Sequence, residues 1–157
     1  MTFLTFFIIV VYTVKIDGYW QPAIDNPQML RPVVEAKVIT PSDVHTTWFM
    51  IDTGADRTVL GSIFADALKA YQKGDDQMLV SAGGIIQSYT ADLQIVLPDI
   101  EGRGIRFNLQ GIVLTDPYQA NTHLLGRDIL NYFAVICDHE ANLVTLLRAP
   151  HRYQINN

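Results

Sequence analysis

The chain has 157 residues, enough for one domain with a real core, and 49% of them are hydrophobic against 17% charged, which favours a compact fold with extensive burial, a subunit interface included. The formal net charge is -5, the pI is about 5.1 and no basic stripe is present, so nucleic-acid binding has little support. One cysteine, Cys137, excludes an internal disulfide, and its neighbours Val135 and Ile136 predict a buried core thiol rather than a nucleophile.

The chain opens on an apolar run from Phe3 to Val14. A membrane-spanning helix needs about 20 apolar residues, and Lys15 and Asp17 interrupt this run sooner. No basic start or small-residue cleavage site of a signal peptide is obvious. The β-branched and aromatic content predicts a strand over residues 7–18, where Tyr12, Val14 and Ile16 alternate with Thr13, Lys15 and Asp17. The expected location is cytoplasmic, with membrane association through this apolar start as the minority reading. Gln21 to Pro32, with its prolines and Asn and Asp turn formers, reads as a connecting arm. Tyr19 and Trp20 beside it read as packing residues. Val33 to Thr40 reads as a strand, Pro41-Ser42-Asp43 as a turn and Thr46 to Ile51 as the partner strand.

That hairpin ends in Trp48-Phe49-Met50-Ile51-Asp52-Thr53-Gly54-Ala55-Asp56, an apolar strand running into an acid and a tight turn. The strand carries Asp52 towards the interior. Burying a carboxylate is costly unless something holds its charge. One explanation is a hydrogen-bonded Asp in a structural turn. The other, favoured here, is catalysis: two such carboxylates face to face share a proton, one acting as base on a water and the other as acid on the substrate carbonyl.

Thr58-Val59-Leu60 continues extended, and a helix is predicted over Ile63 to Tyr71. Ile63, Ala67 and Ala70 fall at helical spacing, as do Phe64, Leu68 and Tyr71, with Ser62 as N-cap and Lys73-Gly74-Asp75-Asp76 as the stop. Met78 to Leu97 reads as two strands around Ala82-Gly83-Gly84, either an ordinary hairpin or a mobile cover over a cleft. Glu101-Gly102-Arg103-Gly104 is a turn without the lysine and spacing of a phosphate loop. Ile105 to Leu114 is the next strand, Asp116-Pro117-Tyr118 starts a loop, and Leu124-Leu125 is a short buried strand. Arg127 to Phe133 reads as a helix with Ile129, Leu130 and Phe133 inward. Ala134 to Cys137 and Leu143 to Leu147 flank Asp138–Asn142 as a final hairpin, and Arg148 to Asn157 is a polar tail expected to fray.

Asp52-Thr53-Gly54-Ala55-Asp56 resembles the active-site signature of the retropepsin-like aspartic peptidases. Leu124-Leu125-Gly126-Arg127-Asp128 resembles the hydrophobic-hydrophobic-Gly-Arg segment that crosses behind the catalytic loop in that family. Ser81-Ala82-Gly83-Gly84-Ile85 resembles the tip of its flap, and Arg31-Pro32-Val33-Val34 resembles the start of its core. The look is more that of bacterial members than viral ones. The resemblance implies an all-β fold with one or two short helices, a closed acid-protease barrel with one lobe per chain. It would cover 31–148, after an N-terminal strand and arm (1–30) and before the tail (149–157).

The resemblance also implies roles. Asp52, Thr53 and Gly54 would be catalytic, Thr53 tying the loop to its symmetry mate and the Gly54 amide helping to hold the carboxylate. Ala55, Asp56, Ala82, Gly83, Gly84, Ile85, Pro117 and Tyr118 would meet the substrate. Gly126 and Arg127 would support the loop, with Asp56 and Arg127 as a buried, bidentate ion pair. Asp128 would cap the helix that it enters. No second Asp-Thr-Gly is present, so the resemblance implies a homodimer with the site on the two-fold axis, acting on a peptide or protein. Two departures stand out. Arg57 replaces the acid that many retroviral enzymes have, so no specificity carries over. Both termini are longer, so the dimer can use the N-terminal strand, the C-terminal hairpin or both.

No metal or cofactor is expected: His45, His123, His139 and His151 lack zinc-ligand spacing, and no Gly-x-Ser-x-Gly elbow occurs. The expected function is an aspartic endopeptidase. The alternative from another class is a catalytically silent peptide-binding or dimerisation module of the same fold.

Overall fold

The structure, a computed structural model, describes residues 14–24, 26–81 and 84–150. Among these described residues ten strands run in the order β1 (Lys15–Pro22), β2 (Leu30–Ile39), β3 (Val44–Ile51), β4 (Val59–Leu60), β5 (Gln72–Ser81), β6 (Gly84–Pro98), β7 (Gly104–Leu114), β8 (Leu124–Leu125), β9 (Phe133–Asp138) and β10 (Leu143–Arg148). Two single-turn helices interrupt them, α1 (Ala65–Leu68) and α2 (Arg127–Leu130). The fold is thus mainly β, as expected.

The strands form one sheet in the order β5-β6-β7-β4-β8-β3-β2-β1-β10-β9, and β6 also pairs with β2. That extra pairing, Lys37↔Val96 to Ile39↔Gln94, closes a ring through β6, β7, β4, β8, β3 and β2. Strand alternation fills the ring: Val34, Ala36 and Val38 from β2 meet Ala91, Leu93, Ile95 and Leu97 from β6, with Phe49 and Leu125 between. Each fully buried Val, Leu, Ile or Phe among them contributes about 1.5–3 kcal/mol. Among the described residues no helix is long and apolar enough to cross a membrane.

Several expectations are corrected. Of the strand predicted over 7–18, residues 7–13 lie outside the described residues, and the described part runs on to Pro22. It takes Gln21 and Pro22 from the arm because β2 pairs with them, Gln21 opposite Arg31 and Pro22 opposite Leu30. Gly18 permits this: a Cβ there would stand 2.1 Å from the Val33 carbonyl oxygen. β2 begins at Leu30, so the arm shrinks to the turn closed by Ala23 N–H on the Met29 carbonyl, 2.8 Å.

The helix predicted over Ile63 to Tyr71 is broken into 3-10 turns at Ser62–Phe64 and Lys69–Tyr71 around α1. Ser62 is not its N-cap; Gly61 stands there and no side chain caps it. Only Phe64 and Leu68 are buried anchors, and Ile63 is exposed. The Tyr89 hydroxyl donates to the Ala65 carbonyl, which engages a helical acceptor from outside. Lys73–Asp76 does not stop a helix but lies within β5, whose register slips between Lys73 and Gln77. Phe133 opens β9 instead of closing α2, because pairing with Arg148 claims its backbone. Cys137 is exposed, not buried, since β9 is the outermost strand. Residues 151–157 of the predicted tail lie outside the described residues.

One loop shows what holds a buried acid. Asp99 accepts from the N–H groups of Glu101 (3.0 Å) and Arg103 (2.8 Å) and from Arg103 Nε (2.8 Å). Burial alone would raise its carboxyl, but these donors hold it below its ordinary value. Its stabilisation is therefore present above the unfolded carboxylate range and is lost as pH falls through the lowered folded value. Asp99→Asn is expected to shrink that acid dependence, read from urea midpoints between neutral and strongly acid pH.

Candidate active site

β3 delivers Asp52. Ile51 is buried and paired in parallel with Leu125 of β8, and the Asp52 N–H donates to the Leu125 carbonyl, 3.1 Å. The chain then turns, with Ala55 N–H on the Asp52 carbonyl at 3.2 Å. Gly54 N–H donates to Asp52 Oδ1 at 2.9 Å and fixes the carboxylate's orientation. Asp52 and Ala55 are half-buried while Thr53, Gly54 and Asp56 face solvent on the single chain.

The segment after β8 staples this turn from behind. Arg127 N–H donates to the Ala55 carbonyl (2.8 Å) and Asp128 N–H to the Asp56 carbonyl (3.2 Å). Gly126 is required by close approach: a Cβ there would lie 2.3 Å from the Arg57 carbonyl carbon and 2.7 Å from Thr58 N. Those are backbone atoms of the turn itself. Gly126→Ala is expected to cost about 1–3 kcal/mol in overpacking. The shift of the urea midpoint reads that cost.

Arg127 Nη2 meets Asp56 Oδ1, so the expected ion pair exists. It is not buried as expected: the Asp56 side chain is 80% exposed, and its worth on one chain is that of a surface pair, about 0–1 kcal/mol. Asp128 does not cap α2. It accepts from Thr58 N–H (2.8 Å) and from the Thr58 hydroxyl (2.7 Å) instead. Thr58 Oγ1 in turn accepts from Gly126 N–H at 3.2 Å, and Thr58 is fully buried. Thr58 thus joins both sides of the crossing. Thr58→Val keeps the shape but strands a buried N–H and a carboxylate oxygen, at an expected cost of about 1–3 kcal/mol in unfolding free energy, measurable by urea denaturation.

The remaining predicted residues fall in two places. Ala82 and Gly83 lie outside the described residues. Gly84 and Ile85 are exposed at the start of β6, Gly84 with φ 119, and pair with Ser81 and Val80. Pro117 and Tyr118 sit on a 3-10 turn capped by Asp116, which accepts from Tyr118 N–H at 2.9 Å. Both line a cavity of about 600 Å³ with Trp48, Met50 and Leu124. Met50 and Leu124 are register partners beside Asp52, so the cavity flanks the acid without including it.

His123 was not singled out by the sequence beyond its lack of zinc-ligand spacing, yet it braces this region. Its Nδ1 accepts from Gly61 N–H at 3.0 Å and its carbonyl from Met50 N–H at 2.9 Å. The ring lies between Phe49 and Phe64, centroids 5.6 and 5.3 Å away. Burial pushes the imidazole down to about 4. The only sequence signal is its place immediately before the apolar Leu124-Leu125. Among the described residues no group of three or more His, Cys, Asp or Glu is arranged to hold a metal ion.

A family model described as retroviral aspartyl protease matches residues 28–136. Among solved structures, a retropepsin-like aspartic protease from Rickettsia conorii matches with 22% identity and a TM-score of 0.48, over 87% of this chain and 100% of that one.

Proposed function

The chain belongs to the retroviral aspartyl protease family, and on that premise we propose that it is an aspartic endopeptidase whose active form is a homodimer sharing Asp52 from each copy. The observation that carries this reading is the held carboxylate: Asp52 at the end of a buried strand, oriented by Gly54 N–H and stapled through Ala55 and Asp56 to Gly126–Asp128. A structural aspartate would spend its acceptors on the fold, as Asp99 and Asp128 do. Among the described residues Asp52 Oδ1 accepts one backbone N–H, that of Gly54, and no side chain of the fold donates to the carboxylate.

In this reading the two Asp52 carboxylates hold one proton between them, because like charges so close do not both ionise readily. The ionised member takes a proton from water, and that water attacks the scissile carbonyl carbon. The protonated member gives its proton to the carbonyl oxygen. As the tetrahedral intermediate collapses, the protonated member gives its proton to the departing nitrogen, the ionised member takes a proton from one of the two hydroxyls on the carbon, and the C–N bond breaks, which restores the singly protonated dyad. Thr53, exposed on the single chain, would bond the opposite loop. The β5–β6 hairpin would close over the peptide and exclude water, with Gly84 permitting the positive φ at its tip. The cavity walled by Trp48, Met50, Leu124 and Tyr118 would take an apolar substrate side chain.

A peptide mimic with a hydroxyl-bearing tetrahedral carbon at the scissile position tests the reading. It is expected to inhibit turnover competitively. A folded dimer that binds the mimic yet cleaves no peptide at any pH would instead be a binding module.

A further inference from the structure

After pairing, the turn that carries the candidate acid keeps two charges. Asp56 is taken by Arg127 Nη2, and Asp128, which crosses behind, accepts from Thr58 with both of its oxygens. What remains from Asp52 to Thr58 is the Asp52 carboxylate and the Arg57 guanidinium. Arg57 is exposed, and among the described residues no carboxylate pairs with its side chain.

The fold holds this arginine firmly for a surface residue. The Asp56 carbonyl before it accepts from Asp128 N–H at 3.2 Å, and the Thr58 N–H after it donates to Asp128 Oδ2 at 2.8 Å. Its own carbonyl oxygen lies 2.5 Å from where a Cβ on Gly126 would stand. The Thr58 side chain is fully buried, so the backbone is pinned from inside while the guanidinium is left to solvent. An arginine set this way gives up only side-chain freedom when it binds, and its planar fork matches a carboxylate.

We propose that Arg57 makes the enzyme prefer peptides that carry an acidic side chain close to the scissile bond. The proposal rests on the shared-carboxylate reading above and adds to it the charge of the substrate. The two-fold axis of that reading places one Arg57 on each side of the dyad, so an acid is favoured both before and after the cleaved bond. An acidic side chain near the Asp52 pair meets like charge, and the guanidinium offsets the repulsion that the site itself imposes.

Matched peptides carry a single Glu, Gln or Lys at each of three positions on either side of the cleaved bond. They are assayed at about pH 6, where glutamate, with an ordinary value of about 4.3, is ionised. The wild-type kcat/KM ratio, Glu over Gln, is expected to reach about tenfold at one position on each side and to fall with added salt. Arg57→Gln should bring that ratio to about one, and Arg57→Lys should keep part of it. Arg57→Glu should invert the preference, favouring Lys peptides over Gln peptides at the same positions. Each ratio is internal to one protein, so a general loss of folding or activity cancels. Equal cleavage of Glu and Gln peptides by an active wild type overturns the proposal and leaves the enzyme reading standing. A preference for Glu that survives Arg57→Gln belongs to another cation and also overturns it. So does an Arg57→Gln protein whose pH profile shifts alike for all peptides while the Glu/Gln ratio is kept, which would make Arg57 a tuner of Asp52. A folded wild type that cleaves no peptide overturns both readings.

Discussion

Asp52→Asn is expected to lower kcat/KM by about 10⁴-fold or more, because in the proposed mechanism the same group serves as base and acid. The substitution is nearly isosteric, and the side-chain oxygen that accepts from Gly54 N–H at 2.9 Å is retained. What is lost is the capacity to take and return a proton. Fold and assembly should survive, since the turn is held by backbone bonds through Ala55, Arg127 and Asp128. Peptide-library cleavage at several pH values, wild type beside variant, measures the loss and gives the specificity with it. Undiminished cleavage by the variant would remove Asp52 from the chemistry.

The second large effect lies in stability. The His123 imidazole is held at about 4 by burial, against an ordinary value of 6.5. In the unfolded chain it protonates as pH falls through 6.5, while in the fold it stays neutral to about 4. The unfolded state therefore binds the extra proton between these values. Stability is complete above about 6.5 and falls towards about 4, by about 3 kcal/mol in all. His123→Phe is expected to lower stability at neutral pH, since Gly61 N–H loses its acceptor, and to flatten the slope between those values. Urea midpoints against pH for both proteins read the difference; parallel slopes would show that another group carries the acid sensitivity. A shared-proton dyad favours mildly acid pH. Activity and stability then pull in opposite directions, and the working range narrows from the acid side.

Much of the framework around the candidate site was legible in the sequence because local pattern and local structure agree there. The apolar run into Asp52, the two-residue strand Leu124-Leu125 and the hairpins at Asp43 and Asn142 all follow strand alternation and turn chemistry. The errors occur where tertiary partners decide. Ile63 to Tyr71 has helical spacing, but its Ala65 carbonyl is taken by Tyr89 from β6. Asp128 looks like a helix cap and instead anchors Thr58, 70 residues away. Cys137 looks like core because its neighbours are apolar, and only the strand order reveals that β9 is an edge. His123 matters through Gly61, Phe49 and Phe64, none of them near it in sequence.

The central claim is one site shared by two chains, and subunit mixing tests it most directly. Wild type and Asp52→Asn are combined in equal amounts, allowed to exchange, and assayed at fixed total protein. If each site needs both carboxylates, only wild-type pairs are active, and activity falls to about a quarter of that of the same protein as pure wild type. If each chain works alone, half the activity remains, and the shared-carboxylate account is contradicted.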